Sequence, residues 1–142
     1  MLVVKMDDKL KAVYDRLFAR ELRAREEIRN SLSCIHIAEL VAANLRGVDV
    51  PEIERWRQEG RVFSLGEPYQ DCYPRFQFDG GQPKPIIRHV LKRLKPKDSW
   101  HAAFWFYGAN AWLEDGQPFL MVDSDPEQVL LAAEHANDEI SD

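Results

Sequence analysis

Apolar residues recur at helical spacing along most of the chain. Over residues 7 to about 29, apolar side chains lie three and four positions apart, which predicts one long amphipathic helix. Asp7 or Asp8 can cap its start. We expect its apolar stripe to pack partly on the rest of the chain and partly on a second copy of it, mainly the former. The stripe consists of Leu10, Val13, Tyr14, Leu17, Phe18 and Leu22.

The next stretch has the pattern of two short helices joined by a tight turn. Gly47 can take the positive φ that ends a helix, and Asp49 can cap the next helix with Glu52 as its capping-box partner. Ile53 and Trp56 then give that second helix an apolar face. The pattern predicts a helix-turn-helix whose second helix enters the major groove of DNA, or a helical hairpin without a DNA role. The apolar positions of the first helix are Ile35, Ile37, Ala38, Leu40, Val41 and Leu45.

Two runs rich in β-branched and aromatic residues follow, at 61–65 and 72–78. In the second run, Phe76 and Phe78 flank the polar Gln77, which is the alternation of a half-buried strand. The runs predict a β-hairpin with a long tip. Such a hairpin after a helix-turn-helix is a wing, although wings also serve only to cover a core.

The rest of the chain reads as helical. Glycines and prolines at 79–85 predict a linker that separates residues 1–79 from residues 80–142. A helix stopped at Lys95, an aromatic-rich helix capped by Asp98 or Ser99, and a last helix opened at Asp125 follow. The predicted fold is mainly α: a helix-turn-helix with a small β-hairpin wing, then a C-terminal helical region.

Composition narrows the class of protein. The 142 residues are 45% hydrophobic and 30% charged, as in an ordinary globular domain. We expect a cytoplasmic protein without a membrane partner, since no apolar run is long enough to cross a bilayer and charges follow the first four residues at once. Cys34 and Cys72 lack metal-ligand spacing, and we interpret them as reduced, partly buried thiols.

Charge is distributed unevenly. Residues 1–62 contain 12 Lys or Arg against 11 Asp or Glu, whereas residues 63–142 contain 7 against 13. Ten acidic residues and no basic one follow Lys97. Because phosphate repels an acidic segment, we expect the N-terminal half to contact any bound DNA. The acidic end would then point away and be free to meet another partner.

Two motifs resemble those of a known family. The first is the Tyr-Pro-x-Phe-Gln-Phe-Asp run at 73–79, preceded by the Gly-Arg-Val-Phe-Ser-Leu run at 60–65. The second is the Trp-Leu-Glu-Asp-Gly-Gln-Pro-Phe-Leu run at 112–120. Over roughly residues 30–135 the chain resembles the Xre/MbcA/ParS antitoxin-like family. The resemblance implies an antitoxin that binds and silences a toxin, often one that attacks NAD, and that represses its own promoter.

The resemblance also implies where a toxin would bind. It places the partner-binding surface around the glycine-proline loop and along the terminal helix, and the acidic end adds two carboxylates that could enter a basic cleft. The expected partners are a double-stranded DNA operator, a cognate toxin and a second copy of the chain, because short operators are usually read by twofold pairs. The partner-binding residues are Trp112, Leu113, Gly116, Pro118, Leu120, Asp123 and Asp125.

The second helix of the predicted helix-turn-helix supplies the candidate DNA contacts. Arg55 and Gln58 can reach base edges, and Arg46, Arg57 and Arg61 can contact phosphates. The first turn of this helix is apolar and acidic, which departs from a typical base reader. That departure favours the alternative of a protein-interaction module that has kept the fold without useful DNA affinity.

No constellation of residues indicates catalysis. The four histidines are scattered, and none forms a metal-binding pair with another ligand at i, i+4. The sequence contains no phosphate-cradling glycine loop and no serine elbow. We expect no enzyme activity, no metal and no cofactor. The histidines are His36, His89, His101 and His135.

Overall fold

The computed structural model describes residues 7–44 and 47–138. This part of the chain is mainly helical, with two small antiparallel sheets. The helices are α1 (Asp8–Ser31), α2 (Ile37–Ala43), α3 (Val50–Gln58), α4 (Pro85–Leu94), α5 (Ser99–Tyr107), α6 (Pro118–Met121) and α7 (Pro126–Glu134). The strands are β1 (Cys34–His36), β2 (Cys72–Pro74), β3 (Phe78–Asp79) and β4 (Gln82–Pro83).

Helix α1 is the long helix that the spacing predicts. The Asp7 carboxylate accepts a hydrogen bond from the Leu10 amide at 2.7 Å and caps the helix start. Towards its C-terminal end, Ile28 and the following Leu32 are buried in the core. The C-terminal end of α1 is thus buried, whereas five side chains of the predicted stripe are 41–64% exposed: Leu10, Val13, Tyr14, Leu17 and Phe18.

Helices α2 and α3 are in contact, and α3 begins where the sequence predicts, but α2 ends at Ala43 with Asn44 as its cap and is not ended by Gly47. Gly47 has φ +71°, and the Asp49 carboxylate accepts from the Glu52 amide at 3.1 Å. Ile35, which was predicted to belong to the first helix, lies in β1 instead. Leu45 lies outside the described residues. This part has its own apolar cluster, which consists of Ile35, Ile37, Leu40, Val48, Ile53, Trp56, Val62 and Tyr73.

The predicted pairing of residues 61–65 with 72–78 is wrong. Residues 61–65, all of them described, lie outside any strand, and β2 pairs antiparallel with β1 instead. The reason is local: the Gln77 side chain accepts from the Phe63 amide and donates to the Phe63 carbonyl, both at 2.8 Å. A side-chain amide therefore takes the place of the backbone ladder, and the hairpin forms further on, between β3 and β4.

A second apolar cluster joins the end of α1 to the C-terminal helices. Helix α4 packs mainly against α7 and ends at Lys95, whose φ of +50° is left-handed. The Asp98 carboxylate accepts from the His101 amide at 2.8 Å and caps α5. Phe63 stacks on Phe106 with ring centroids 5.4 Å apart. Among the described residues, no helix has the length and apolarity needed to cross a bilayer.

Candidate nucleic-acid interface and partner surface

The outer face of α3 presents two of the predicted DNA contacts. Arg55 and Gln58 are exposed, whereas Ile53 and Trp56 are 0% and 2% exposed. Each polar residue follows a buried one by two positions, about 200° around the helix. The apolar face thus holds α3 against its cluster, and Arg55 and Gln58 point away from it.

Of the other predicted phosphate contacts, Arg57 lies on α3 and Arg61 lies just after it. Burial raises the pKa of Tyr73, and the nearby Arg57 guanidinium acts in the opposite direction. The Arg61 guanidinium carbon lies 5.8 Å from the centroid of the Trp56 ring, within cation–π range. Arg46 lies outside the described residues. The structure therefore brings Arg55, Arg57, Gln58 and Arg61 onto one helix and the residues just after it.

Carboxylates share this helix with the arginines. Glu52 and Glu54 belong to α3, and Glu59 follows it directly. Even so, no ion pair within 4.0 Å joins Arg55, Arg57 or Arg61 to a carboxylate in the described ranges. The arginines are available to an external anion, but the field around α3 has mixed sign.

A more uniform positive surface, which was not among the predicted DNA contacts, lies on α4. Residues 80–97 contain six Lys or Arg and no Asp or Glu, and that run was visible in the sequence. The inward face of α4 is apolar and buried, so its basic residues point outward. Arg88, His89, Lys92 and Arg93 are all exposed.

Two open clefts connect α4 to the end of α3. One of about 480 Å³ is lined by Arg57, Arg88 and Lys92 over an apolar floor that includes Phe63. The other, about 470 Å³, is lined by Arg61 and again by Arg88 and Lys92. Glu59 borders both clefts, and Asp98, which caps α5, borders the first. Cations from both halves of the chain therefore line one surface.

The glycine-proline loop is held in a compact form. Asn110 and Gly116 form an isolated antiparallel bridge, and the Asn110 side chain accepts from the Trp112 amide at 2.9 Å. A Cβ at Gly116 would approach the Met121 sulfur to 2.8 Å and the Leu113 carbonyl oxygen to 2.9 Å. Only glycine fits at this position, because the Leu113 carbonyl and the Met121 side chain occupy the space that a Cβ would need.

The seven predicted partner-binding residues divide into two groups. Leu113 and Pro118 are buried and Gly116 is half-buried, so they shape the loop. The other four are exposed and available to a partner: Trp112, Leu120, Asp123 and Asp125.

Two contacts fix part of this exposed group. The Trp112 ring stacks on His135 at 4.2 Å between centroids and 10° between planes. Asp123 forms an ion pair at 2.8 Å with Lys84, which lines the second cleft. Leu120, 64% exposed, is the most open apolar residue of the loop.

Burial disfavours the thiolate form of both cysteines. Both are free and half-buried, as predicted. Burial, with Cys72 nearby, raises the pKa of the Cys34 thiol to about 12, and burial also raises the pKa of Cys72. Thiolates are therefore rare at neutral pH. Within the described residues, no group of three or more His, Cys, Asp or Glu side chains is placed to hold a metal.

Comparisons of the chain with protein-family models, with curated proteins and with solved structures find no match.

Proposed function

We propose that this chain is a DNA-binding antitoxin or transcriptional regulator that neutralises a cognate toxin and represses its own promoter. In this proposal α2 and α3 form a helix-turn-helix, and α3 enters the major groove. Arg55 and Gln58 contact base edges, while Arg57 and Arg61 contact phosphates. The observation that carries it is the outward face of α3, where Arg55 and Gln58 are exposed and Arg55 has no carboxylate partner in the described ranges.

The antitoxin part of the proposal rests on the family resemblance and on the loop around Gly116. Trp112 and Leu120 offer exposed apolar surface, and Asp123 and Asp125 add negative charge beside it. An apolar anchor with an acidic rim is suited to a basic cleft on a partner protein.

Dimerisation is the third part of the proposal. The α1 stripe, defined as Leu10, Val13, Tyr14, Leu17 and Phe18, lies on a part of the helix where residues 7–18 are all exposed. A short helical segment in water gains stability mainly by packing its apolar face. Pairing with a second copy would cover the stripe and supply the twofold symmetry of a typical operator.

A single substitution tests the dimer. We expect Leu17→Glu to convert a dimer into a monomer in sedimentation equilibrium, with helix content by circular dichroism preserved. Ala12→Glu, at an exposed position of the same helix outside the stripe, is the matched control and should stay dimeric. A wild-type monomer at all accessible concentrations, or a Leu17→Glu dimer, would contradict this part.

DNA binding is tested by gel shift on the chain's own upstream region. Wild type should shift this duplex more strongly at 50 than at 200 mM salt, and Arg55→Ala with Arg57→Ala should remove most of the shift. Arg16→Ala with Arg23→Ala changes the net charge equally at exposed positions of α1 and should bind like wild type. The absence of any wild-type shift at low salt would refute DNA binding.

Toxin binding is tested by co-purification with the protein encoded by the neighbouring gene. Deletion of residues 124–142 is a poor test, since Val129, Ala132 and Ala133 of α7 are fully buried. Leu120→Asp with Trp112→Ser is better, because both side chains are exposed. We expect this variant to lose the partner, and Val50→Asp, an exposed apolar residue on α3, to retain it. Retention by both variants would refute the assigned surface.

One observation favours the second candidate function, an interaction module without useful DNA affinity. The N-terminal half of α3 and its cap contain Asp49, Glu52 and Glu54, which repel phosphate. Under this alternative the gel shift fails at every salt concentration, while co-purification of the partner still succeeds.

A further inference from the structure

The strongest unassigned feature of the molecule is the positive charge on α4. Its buried face is formed by Ile87, Val90, Leu91 and Leu94, which pack into the C-terminal cluster. Ile86 is half-buried against the same cluster, and the exposed positions of the helix are Pro85 and four ionisable side chains, all of them basic. Those side chains are Arg88, His89, Lys92 and Arg93.

The position of α4 matters as much as its charge. Arg88 and Lys92 are one helical turn apart, about 6 Å along the axis, and line the edge of α4 that faces α3. They share one cleft with Arg57 and the other with Arg61. Four cations, Arg57, Arg61, Arg88 and Lys92, thus line the two clefts between the end of α3 and α4. The acidic residues that line these clefts are Glu59 and Asp98.

We infer that Arg88 and Lys92 of α4 bind the phosphate backbone of the same DNA duplex that α3 reads. The inference rests on the proposed function, and it extends the DNA interface into the half of the chain whose net charge is negative. In this arrangement α3 fixes sequence through Arg55 and Gln58. Helix α4 adds affinity that does not depend on sequence.

The chemistry of the surface favours a nucleic-acid backbone over other anions. Both clefts are open, and Arg88 and Lys92 line both of them, so the two clefts adjoin and suit an extended polyanion. The exposed part of α4 has basic side chains but no large apolar side chain that could enter a bilayer, as an interfacial membrane helix requires. Duplex DNA presents a regular row of phosphates to such a surface.

The experiment compares the salt dependence of DNA binding in two double variants of the basic run at 84–97. Arg88→Gln with Lys92→Gln removes the cations on the α3 side. Arg93→Gln with Lys97→Gln removes the same charge away from α3, since the cleft that Arg93 lines contains Glu134 but no residue of α3, and Lys97 lies beyond the helix. All four side chains are exposed, so both variants should fold, which circular dichroism and thermal melting verify.

Binding to the upstream duplex and to a scrambled duplex of equal length is measured by fluorescence anisotropy from 50 to 200 mM salt. Loss of two phosphate contacts should flatten the slope of log K against log salt by about 1.8 and weaken binding to both duplexes by about tenfold or more. The Arg93 and Lys97 variant should change the slope by less than about half a unit. Arg55→Ala should instead reduce the preference for the upstream duplex.

The outcomes separate this inference from the proposed function. If Arg55→Ala with Arg57→Ala weakens binding but Arg88→Gln with Lys92→Gln leaves the slope unchanged, the inference is overturned and the proposed function stands. Equal effects of the two α4 variants would also overturn it, because only net charge would then matter. Wild type that binds neither duplex overturns both. Tighter binding to single-stranded RNA or to anionic phosphatidylserine vesicles than to the duplex overturns the inference as well.

Discussion

Helix α3 and helix α4 line one cleft together but differ in their charge. Helix α3 alternates acid and base, with Glu52 and Glu54 beside Arg55 and Arg57, whereas α4 has no carboxylate. Base recognition needs donors and acceptors in particular places, while phosphate contact needs positive charge alone. In the proposed function, α3 would therefore select a sequence and α4 would contribute affinity that does not depend on sequence.

The position of α4 also corrects the expectation, based on the charge of each half of the chain, that only the N-terminal half offers a basic surface. Counting residues by halves assigns positive charge to residues 1–62 and negative charge to the rest. Six of the seven basic residues after position 62 lie between 84 and 97, and the fold brings Arg88 and Lys92 of this run beside Arg57 and Arg61. The net charge of a half says little about a surface that both halves build.

The largest expected effect comes from removing the buried side chain that holds α3 against its apolar cluster. Trp56 is 2% exposed and packs near Phe78, with ring centroids 6.4 Å apart. Trp56→Ala should lower the free energy of unfolding by about 3–5 kcal/mol, through lost burial and a cavity. Urea denaturation measures this. Trp112→Ala, at a site that is 40% exposed, should cost about 1 kcal/mol or less, and equal losses would contradict the assigned cores.

A smaller loss of stability is expected when the buried Gln77 side chain, which joins the segment at Phe63 to the segment at Pro74, is replaced. Gln77 is fully buried, and besides its two bonds to Phe63 it donates to the Pro74 carbonyl at 3.1 Å. Gln77→Leu should lower the free energy of unfolding by about 2–4 kcal/mol, because buried backbone groups lose their partners. Thermal melting measures it. The exposed Gln70→Leu should stay within about 0.5 kcal/mol of wild type, and similar values for both would refute the role of Gln77.

The smallest expected effect is a change in duplex affinity when an acidic residue beside the basic clefts is neutralised. Glu59 borders both clefts, so Glu59→Gln should tighten duplex binding about threefold at 50 mM salt, with the gain fading at higher salt as screening increases. Anisotropy titrations measure this gain. Glu127→Gln on α7 removes the same charge outside these clefts and should have little effect. A gain that persists at high salt, or appears equally in both variants, would contradict the electrostatic explanation.

Local signals in the sequence predicted much of the fold. The caps at Asp7, Asp49 and Asp98 and the positive φ of Gly47 follow from short-range chemistry, in which a side chain or a missing Cβ acts within three residues. The helices that these signals delimit lie where the spacing predicts. Their identity as a DNA reader and a toxin-binding region stays a prediction.

Long-range contacts were not predictable in the same way. The alternation around Gln77 indicated a strand with a solvent-facing amide, yet the chain turns there and buries the amide against Phe63. The true partner of β2 is β1, some forty residues earlier, and no local pattern specifies that pairing. The α4 surface differs again, since its charge was visible in the sequence and only its proximity to α3 required the fold.

The central claim is that α3 and α4 contact one duplex together. Photo-crosslinking tests it directly, with benzophenone placed at Gln58 on α3, at His89 beside Arg88 on α4, and at Glu127 on α7 as a control. We predict crosslinks to the same short upstream duplex from positions 58 and 89 and none from position 127. A duplex that crosslinks from position 58 but not from position 89 would contradict the account.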